Sequence, residues 1–261
     1  MRSALSALKR RSGRHVALLL FALVSVVPGH AQAASPFAEG HAYYQRGDYE
    51  AARERYLAQA QQGPVTPAVW YDLGNASLKL QQPGWAILYY ERAALAMPRD
   101  RDLQANLSVA LASRRVPPSA EAPGWLQFVW QRLLGFFTLN ELTGAAVALY
   151  LLSCVLLTWR LRGRHFRRRY LWLLVTALVL MVFVAGLTLG KWRGDWNPAR
   201  AVVVTDSALY AGPADTFPAV RSAYQGEMAQ TLRREGFWCE VALENGSQGW
   251  ILQSAVEPIV R

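Results

Sequence analysis

The residues of this 261-residue chain best suited to nucleophilic, proton-transfer or metal chemistry are four histidines and two cysteines, and their spacing argues against all three. A metal centre needs several such ligands around one ion, and a catalytic dyad needs a base beside its nucleophile. His15 and His30 fall in an N-terminal leader-like segment, and His165 lies in a run of arginines. Only His41 remains beyond them, in a segment without cysteine. Cys154 sits in a long apolar run and Cys239 in a short alternating one, so neither a disulfide nor a metal cluster is expected. Gly190-Lys191 ends an apolar helix and lacks the earlier glycine of a phosphate loop. The chain is expected to be no enzyme and to need no cofactor.

Two groups of residues are better suited to contact than to catalysis. Tyr71, Asn75 and Lys79 follow at steps of four and form one ridge if that segment is a helix. Phe37, His41 and Tyr44 stand one period earlier, aligned with Tyr71, Asn75 and Leu78. The ridge is either a peptide-contact surface, with Asn75 holding backbone amides, or ordinary packing between helices. The second group is Tyr210, Phe217, Tyr224 and Trp238, which serve either as a ligand groove or as core.

The elements that must position the first group repeat. Gly40 and Gly74 are 34 residues apart, as are Ala52 and Ala86, Tyr56 and Tyr90, and Pro64 and Pro98. Small residues at two places let a pair of helices approach, an aromatic fills the gap, and proline breaks the chain before the next unit. These residues resemble the tetratricopeptide repeat, most closely in the second copy with Trp70, Leu73, Gly74, Ala86, Tyr90, Ala93 and Pro98. The copies differ in places. Gln59 stands for Ala93, Ser77 for Tyr43, and Pro83 for Tyr49, where it is tolerable only as a first helical residue. Gly74 and Ala86 are expected to reject bulk and Ser77 to accept it. Leu103, Leu107 and Leu111 mark a capping helix. Two repeats and a cap make a short array, expected to lean on a partner or the membrane. The resemblance implies peptide binding in a concave groove, but its carboxylate-clamp form would need more cations than Lys79.

The formal charge of +10 is not a nucleic-acid footprint. Arg2, Lys9, Arg10, Arg11 and Arg14 sit at the start, and six arginines fall within residues 160–169. Without these 11, the remaining 17 basic residues face 18 acidic ones. The N-terminal cluster, the apolar run 16–27 and Ala31-Gln32-Ala33 have the form of a signal peptide, cleaved after Ala33 or retained as an anchor. Residues 142–159 and 170–190 lack charge and would rise about 27 and 31 Å as helices, enough to cross a bilayer. The arginine turn between them belongs in the cytoplasm by the positive-inside rule, which puts both flanks in the periplasm. Ahead of the first span, Trp125, Phe128, Val129, Arg132, Leu133, Phe136 and Phe137 recur at helical steps. That helix lies either on the outer leaflet or against the repeats. Gly186 and Gly190 form a GxxxG pair suited to packing the two spans.

The C-terminal 61 residues change period. Short runs at 201–205 and 238–243 read as strands, and Asn245-Gly246 gives a hairpin turn before residues 249–252. The series Leu209-Tyr210-Ala211-Gly212-Pro213, Gly226-Glu227, Gly236-Phe237-Trp238 and Gly249-Trp250-Ile251 resembles bacterial SH3-like domains. On that resemblance Trp238 and Trp250 close the two ends of a small barrel.

A multidomain membrane protein is thus expected. Its parts are a signal peptide (1–33), tetratricopeptide repeats plus capping helix (34–113), a proline-rich linker (114–124) and an interfacial amphipathic helix (125–141). Transmembrane helices follow at 142–159 and 170–190 around the cytoplasmic turn 160–169, then a small all-β SH3-like barrel at 201–261. That order resembles the BatE-type proteins of aerotolerance (Bat) loci. The resemblance implies a non-enzymatic inner-membrane component with both folded domains periplasmic. Its partners would be the lipid bilayer, membrane proteins with von Willebrand type A domains and a MoxR-class ATPase. The alternative is a cell-envelope module whose barrel binds peptidoglycan.

Topology is directly testable. Alkaline phosphatase fused after Ser113 or after Arg261 is expected to be active, and fused at Arg164 inactive. Activity at Arg164 would reverse the orientation.

Overall fold

The computed structural model describes residues 35–115, 124–162 and 168–260. The leader, the linker prolines Pro117, Pro118 and Pro123, and the middle of the arginine turn lie outside the described residues.

Among the described residues five helices come first: α1 (Pro36–Gln45), α2 (Tyr49–Gln61), α3 (Pro67–Lys79), α4 (Pro83–Ala94) and α5 (Arg101–Ser113). Their ends follow local chemistry. Asp48 and Asp100 accept hydrogen bonds from the amides of Ala51 (3.1 Å) and Leu103 (2.9 Å), satisfying orphan donors of the first turn. Pro67 and Pro83 open α3 and α4, where a missing N–H costs nothing. Each helix packs on the next. A Cβ added at Gly40 would lie 2.5 Å from the Tyr56 ring, and one at Gly74 would lie 2.5 Å from the Tyr90 ring. The same glycine–tyrosine contact thus closes both pairs, and the 34-residue period is a period of packing. Ala52, Ala86 and Ala93 are fully buried beside it.

Ser77 corrects an expectation. It is completely buried and its hydroxyl has no hydrogen-bond partner among the described residues, so leucine there would overpack the core rather than be accepted.

Seven strands form one antiparallel sheet: β1 (Arg200–Val203), β2 (Ser207–Tyr210), β3 (Ala219–Ala223), β4 (Met228–Glu235), β5 (Trp238–Leu243), β6 (Gln248–Leu252) and β7 (Val256–Pro258). Their spatial order is β3-β2-β6-β5-β4-β1-β7. The turn between β5 and β6 holds Asn245 and Gly246, the latter at φ +83°, a region glycine enters without strain. Cys239, Val241 and Leu243 point to the sheet's core, and the residues alternating with them point outward.

The two halves share a seam. Ala201 and Val203 of β1 enter the sheet's core, whereas Val202 and Val204 enter the core of the helices with Ile259. Gly84 of α4 lies on the β1 backbone, where an added Cβ would meet the Val203 carbonyl oxygen at 2.7 Å. Buried Arg92 of α4 donates to the carbonyls of Pro258 (2.7 Å) and Ile259 (3.0 Å), with its guanidinium 4.9 Å from the Trp70 ring centre. Glu91 pairs with Arg200 at 3.2 Å, and Arg114 with Glu244 at 2.7 Å. The short helical array leans on the chain's own sheet.

Three further helices, α6 (Trp125–Phe136), α7 (Leu139–Arg162) and α8 (Arg168–Asp195), lie between these halves in sequence. The backbone breaks at Phe137–Thr138, not at residue 141. There Thr138 and Glu141 form a capping box: Glu141 accepts from the Thr138 amide (2.9 Å) and Thr138 Oγ1 from the Glu141 amide (3.2 Å). The first long apolar helix therefore starts three residues before position 142. Both α7 and α8 are long and apolar enough to cross a membrane, and only 11% and 17% of their most apolar stretches are buried within the protein. That is little for core helices of a soluble domain. The two pack along each other, but not through the GxxxG pair. A Cβ at Gly186 would meet nothing within 4 Å, and one at Gly190 would meet Trp130 and Leu134 of α6 at 3.7 and 3.9 Å. Gly190 accommodates α6, which also reaches the helical domain where Arg99 lies 5.2 Å above the Phe136 ring.

Arg92 is the polar pin of the seam. Arg92→Ala leaves two carbonyls of the β7 segment without their donor, a cost of about 1–3 kcal/mol. Hydrogen exchange of the detergent-solubilised full chain is expected to speed up in α4 and β7 together. Unchanged β7 protection would show that the apolar seam suffices.

Candidate functional site

The ridge of the first group lies on α1 and α3, with α5 beside it. His41 Nε2 is 3.3 Å from Asp72 Oδ2 and ties α1 to α3, its side chain about half exposed. Phe37 packs edge-on against His41 with ring centres 4.7 Å apart. Tyr44 packs edge-on against Tyr49 at 5.1 Å, and Lys79 is exposed.

Asn75 is the hub. Its Oδ1 accepts from the Tyr90 hydroxyl (2.8 Å) and from Asn106 Nδ2 (2.9 Å), and Asn106 also donates to the Tyr71 hydroxyl (3.1 Å). Three helices and the buried tyrosine of the repeat period meet at one carbonyl. Burial pushes the hydroxyls of Tyr56 and Tyr90 well above the usual tyrosine range and raises those of Tyr44 and Tyr71. Tyr90 therefore stays a donor at neutral pH. Burial also raises the Asp72 carboxyl, with His41 and then Asn75 opposing. No pattern in the sequence marks Asn106. It falls outside the 34-residue period, and only the packing of α5 brings it to Asn75.

Of the second group, Tyr210 and Trp238 come together, edge to face at 5.4 Å. Trp250 joins them, because Tyr210 pairs with Trp250 across β2 and β6, and Glu240, two residues from Trp238, pairs with Trp250 across β5 and β6. The two tryptophans thus lie on the same face of the sheet instead of closing opposite ends, Trp238 half-buried and Trp250 buried. Arg233 lies 5.9 Å from the Trp250 ring centre and 3.5 Å from Glu240. Phe217 belongs to the β2–β3 loop, is 46% exposed, and folds its ring over Gly212. Tyr224 sits in the turn before β4, its carbonyl accepting from the Glu227 amide at 3.1 Å. None of the four is a core residue. The buried acid nearby is Glu227, which accepts from Arg221 at 2.6 Å, and burial raises its carboxyl against the Tyr224 amide and Arg221.

These surfaces can hold a partner by stacking and hydrogen bonding. Both cysteines are free thiols. Compared with known proteins, the chain matches no family model and no curated protein.

The Asn75 network separates support from contact. Asn75→Ala strands the buried Tyr90 hydroxyl and is expected to destabilise the full chain by about 1–3 kcal/mol. Lys79→Ala on the exposed rim is expected to change stability by less than about 0.5 kcal/mol. Denaturant titration of the solubilised protein reads both, and a wild-type midpoint for Asn75→Ala would free that residue for ligand contact.

Proposed function

We propose that this chain is a non-enzymatic, membrane-anchored scaffold that recruits protein partners through the ridge on α1 and α3. On this reading the helix pairs are two tetratricopeptide repeats capped by α5, and the sheet is a small SH3-like barrel. The repeated seating of Tyr56 on Gly40 and Tyr90 on Gly74 is the observation that carries it. That contact holds successive helix pairs at one spacing, as a stacked array requires. The long apolar helices α7 and α8 supply the anchor, and Arg160, Arg162 and Arg168 at their shared end favour a cytoplasmic turn with both folded halves periplasmic. The likeness to BatE-type proteins points to von Willebrand type A membrane proteins, served by a MoxR-class ATPase, as partners. This is an analogy of architecture.

A photo-crosslinking residue at His41 or Lys79 is expected to capture a von Willebrand type A membrane protein, and one at exposed Glu54 on α2 is not. Equal capture from all three positions, or none from the ridge, would remove the ridge from function. The half-exposed Tyr210–Trp238 pair favours a second reading, peptidoglycan binding. Pelleting of the protein with purified sacculi, lost on Trp238→Ala, would mark that outcome.

A further inference from the structure

A cleft of about 620 Å³ opens where the helical domain, α6, the end of α8 and β1 meet. Four cations line it, Arg99, Arg132, Lys191 and Arg200, with the carboxylates of Glu91 and Asp195. Lys191 pairs with Asp195 (2.9 Å), Arg200 with Glu91 (3.2 Å) and Arg99 with Glu141. Arg132 makes no ion pair among the described residues and is exposed, so the cleft and the groove that adjoins it, with Glu141 of the latter counted against Arg99, together hold one surplus positive charge.

A second groove, of about 500 Å³, meets the first at Arg99 and runs between α6, α7 and α8. Its walls are mostly apolar, formed by Leu133, Phe137, Leu142, Ala145, Phe183 and Leu187, with Glu141, the partner of Arg99, also lining it. The elements that form the junction carry exposed tryptophans: Trp125 and Trp130 on α6, Trp192 on α8 and Trp196 just after it. Aromatic rings of this kind favour the headgroup level of a bilayer. The polar cleft then lies at headgroup depth and the apolar groove at acyl depth.

We propose that the paired grooves bind one anionic phospholipid, its phosphate beside Arg132 and an acyl chain along Leu133, Ala145 and Leu187. The surplus charge of one matches a headgroup with one net negative charge, such as phosphatidylglycerol, better than a zwitterion. An occupant of this shape would join α6 to the α7–α8 pair and set the height of the folded halves above the bilayer. The proposal rests on the reading that α7 and α8 cross a membrane.

Native mass spectrometry of the full-length protein in detergent tests it, with phosphatidylglycerol, phosphatidylethanolamine and inorganic phosphate as probes. Phosphatidylglycerol is expected to stay bound and the other two to dissociate. Arg132→Gln is expected to weaken retention about fivefold, the effect of one interfacial cation. Ala145→Trp, at an exposed position that fills the apolar groove, should weaken it without changing charge. Arg168→Gln, at the far end of α8, should leave it intact. Binding of inorganic phosphate as tight as that of the lipid would reduce the site to a phosphate site and overturn the proposal. Equal retention of phosphatidylethanolamine, or wild-type retention by both Arg132→Gln and Ala145→Trp, would overturn it too. Carbonate extraction of the chain from membranes separates the two failures. Release would sink the membrane reading with the lipid site, whereas a carbonate-resistant chain with no selective lipid would sink the site alone.

Discussion

Strand β1 is buried on both faces, and the folded part of the molecule depends on that. Alternate residues along it and at its end serve different cores, Ala201 and Val203 the sheet, Val202 and the following Val204 the helices. Each buried valine is worth roughly 1.5–3 kcal/mol of apolar burial, a large share of the stability a small domain possesses. A one-residue slip of β1 would exchange the two sets and spoil both cores at once. The register is held from both sides, by antiparallel pairing with β4 and β7 and by the closely packed α4 at Gly84.

This seam explains how so short a helical array can be stable. Two helix pairs and a cap bury too little surface to stand alone comfortably. Here α4, the last helix of the second pair, finds on the sheet the apolar neighbour that a further repeat would otherwise provide. Arg92 adds direction to the contact, since its guanidinium must meet two particular carbonyls of the β7 segment. The helical and sheet halves therefore present their surfaces in fixed relation, the ridge of α1 and α3 on one and the half-buried Tyr210–Trp238 pair on the other. On the proposed scaffold reading, fixed spacing between the two surfaces would lower the ordering cost of engaging both.

The apolar helices follow a different logic. In α7 and α8 the helical backbone supplies its own hydrogen-bond partners, and only 11% and 17% of the most apolar stretches are buried within the protein. Their junction with the folded halves is polar, built from the Thr138–Glu141 capping box, the Arg99–Glu141 pair and the Lys191–Asp195 pair. Charges gathered at one end of an apolar helix pair suit an interface between hydrocarbon and water.

Local physics made much of this legible in the linear sequence. The glycine–tyrosine period predicts the helix pairs because only glycine lets a ring sit against a helix backbone, and Gly40–Tyr56 and Gly74–Tyr90 do so. The strands at 238–243 and 248–252 follow from alternation and an Asn-Gly turn, and the two long helices from runs without charge. Tertiary structure alone decided what each surface residue does. Asn75 looked available to a ligand, yet its carbonyl is occupied by Tyr90 and Asn106, partners 15 and 31 residues away. Ser77 looked like a weak copy of Tyr43 and is fully buried. Gly190 receives α6 instead of joining the two long apolar helices. The docking of α4 on β1 had no local signal, because the apolar run 201–205 reads the same whether one face or both are covered. Periodicity reports which face of an element is apolar, and only the fold determines what covers it.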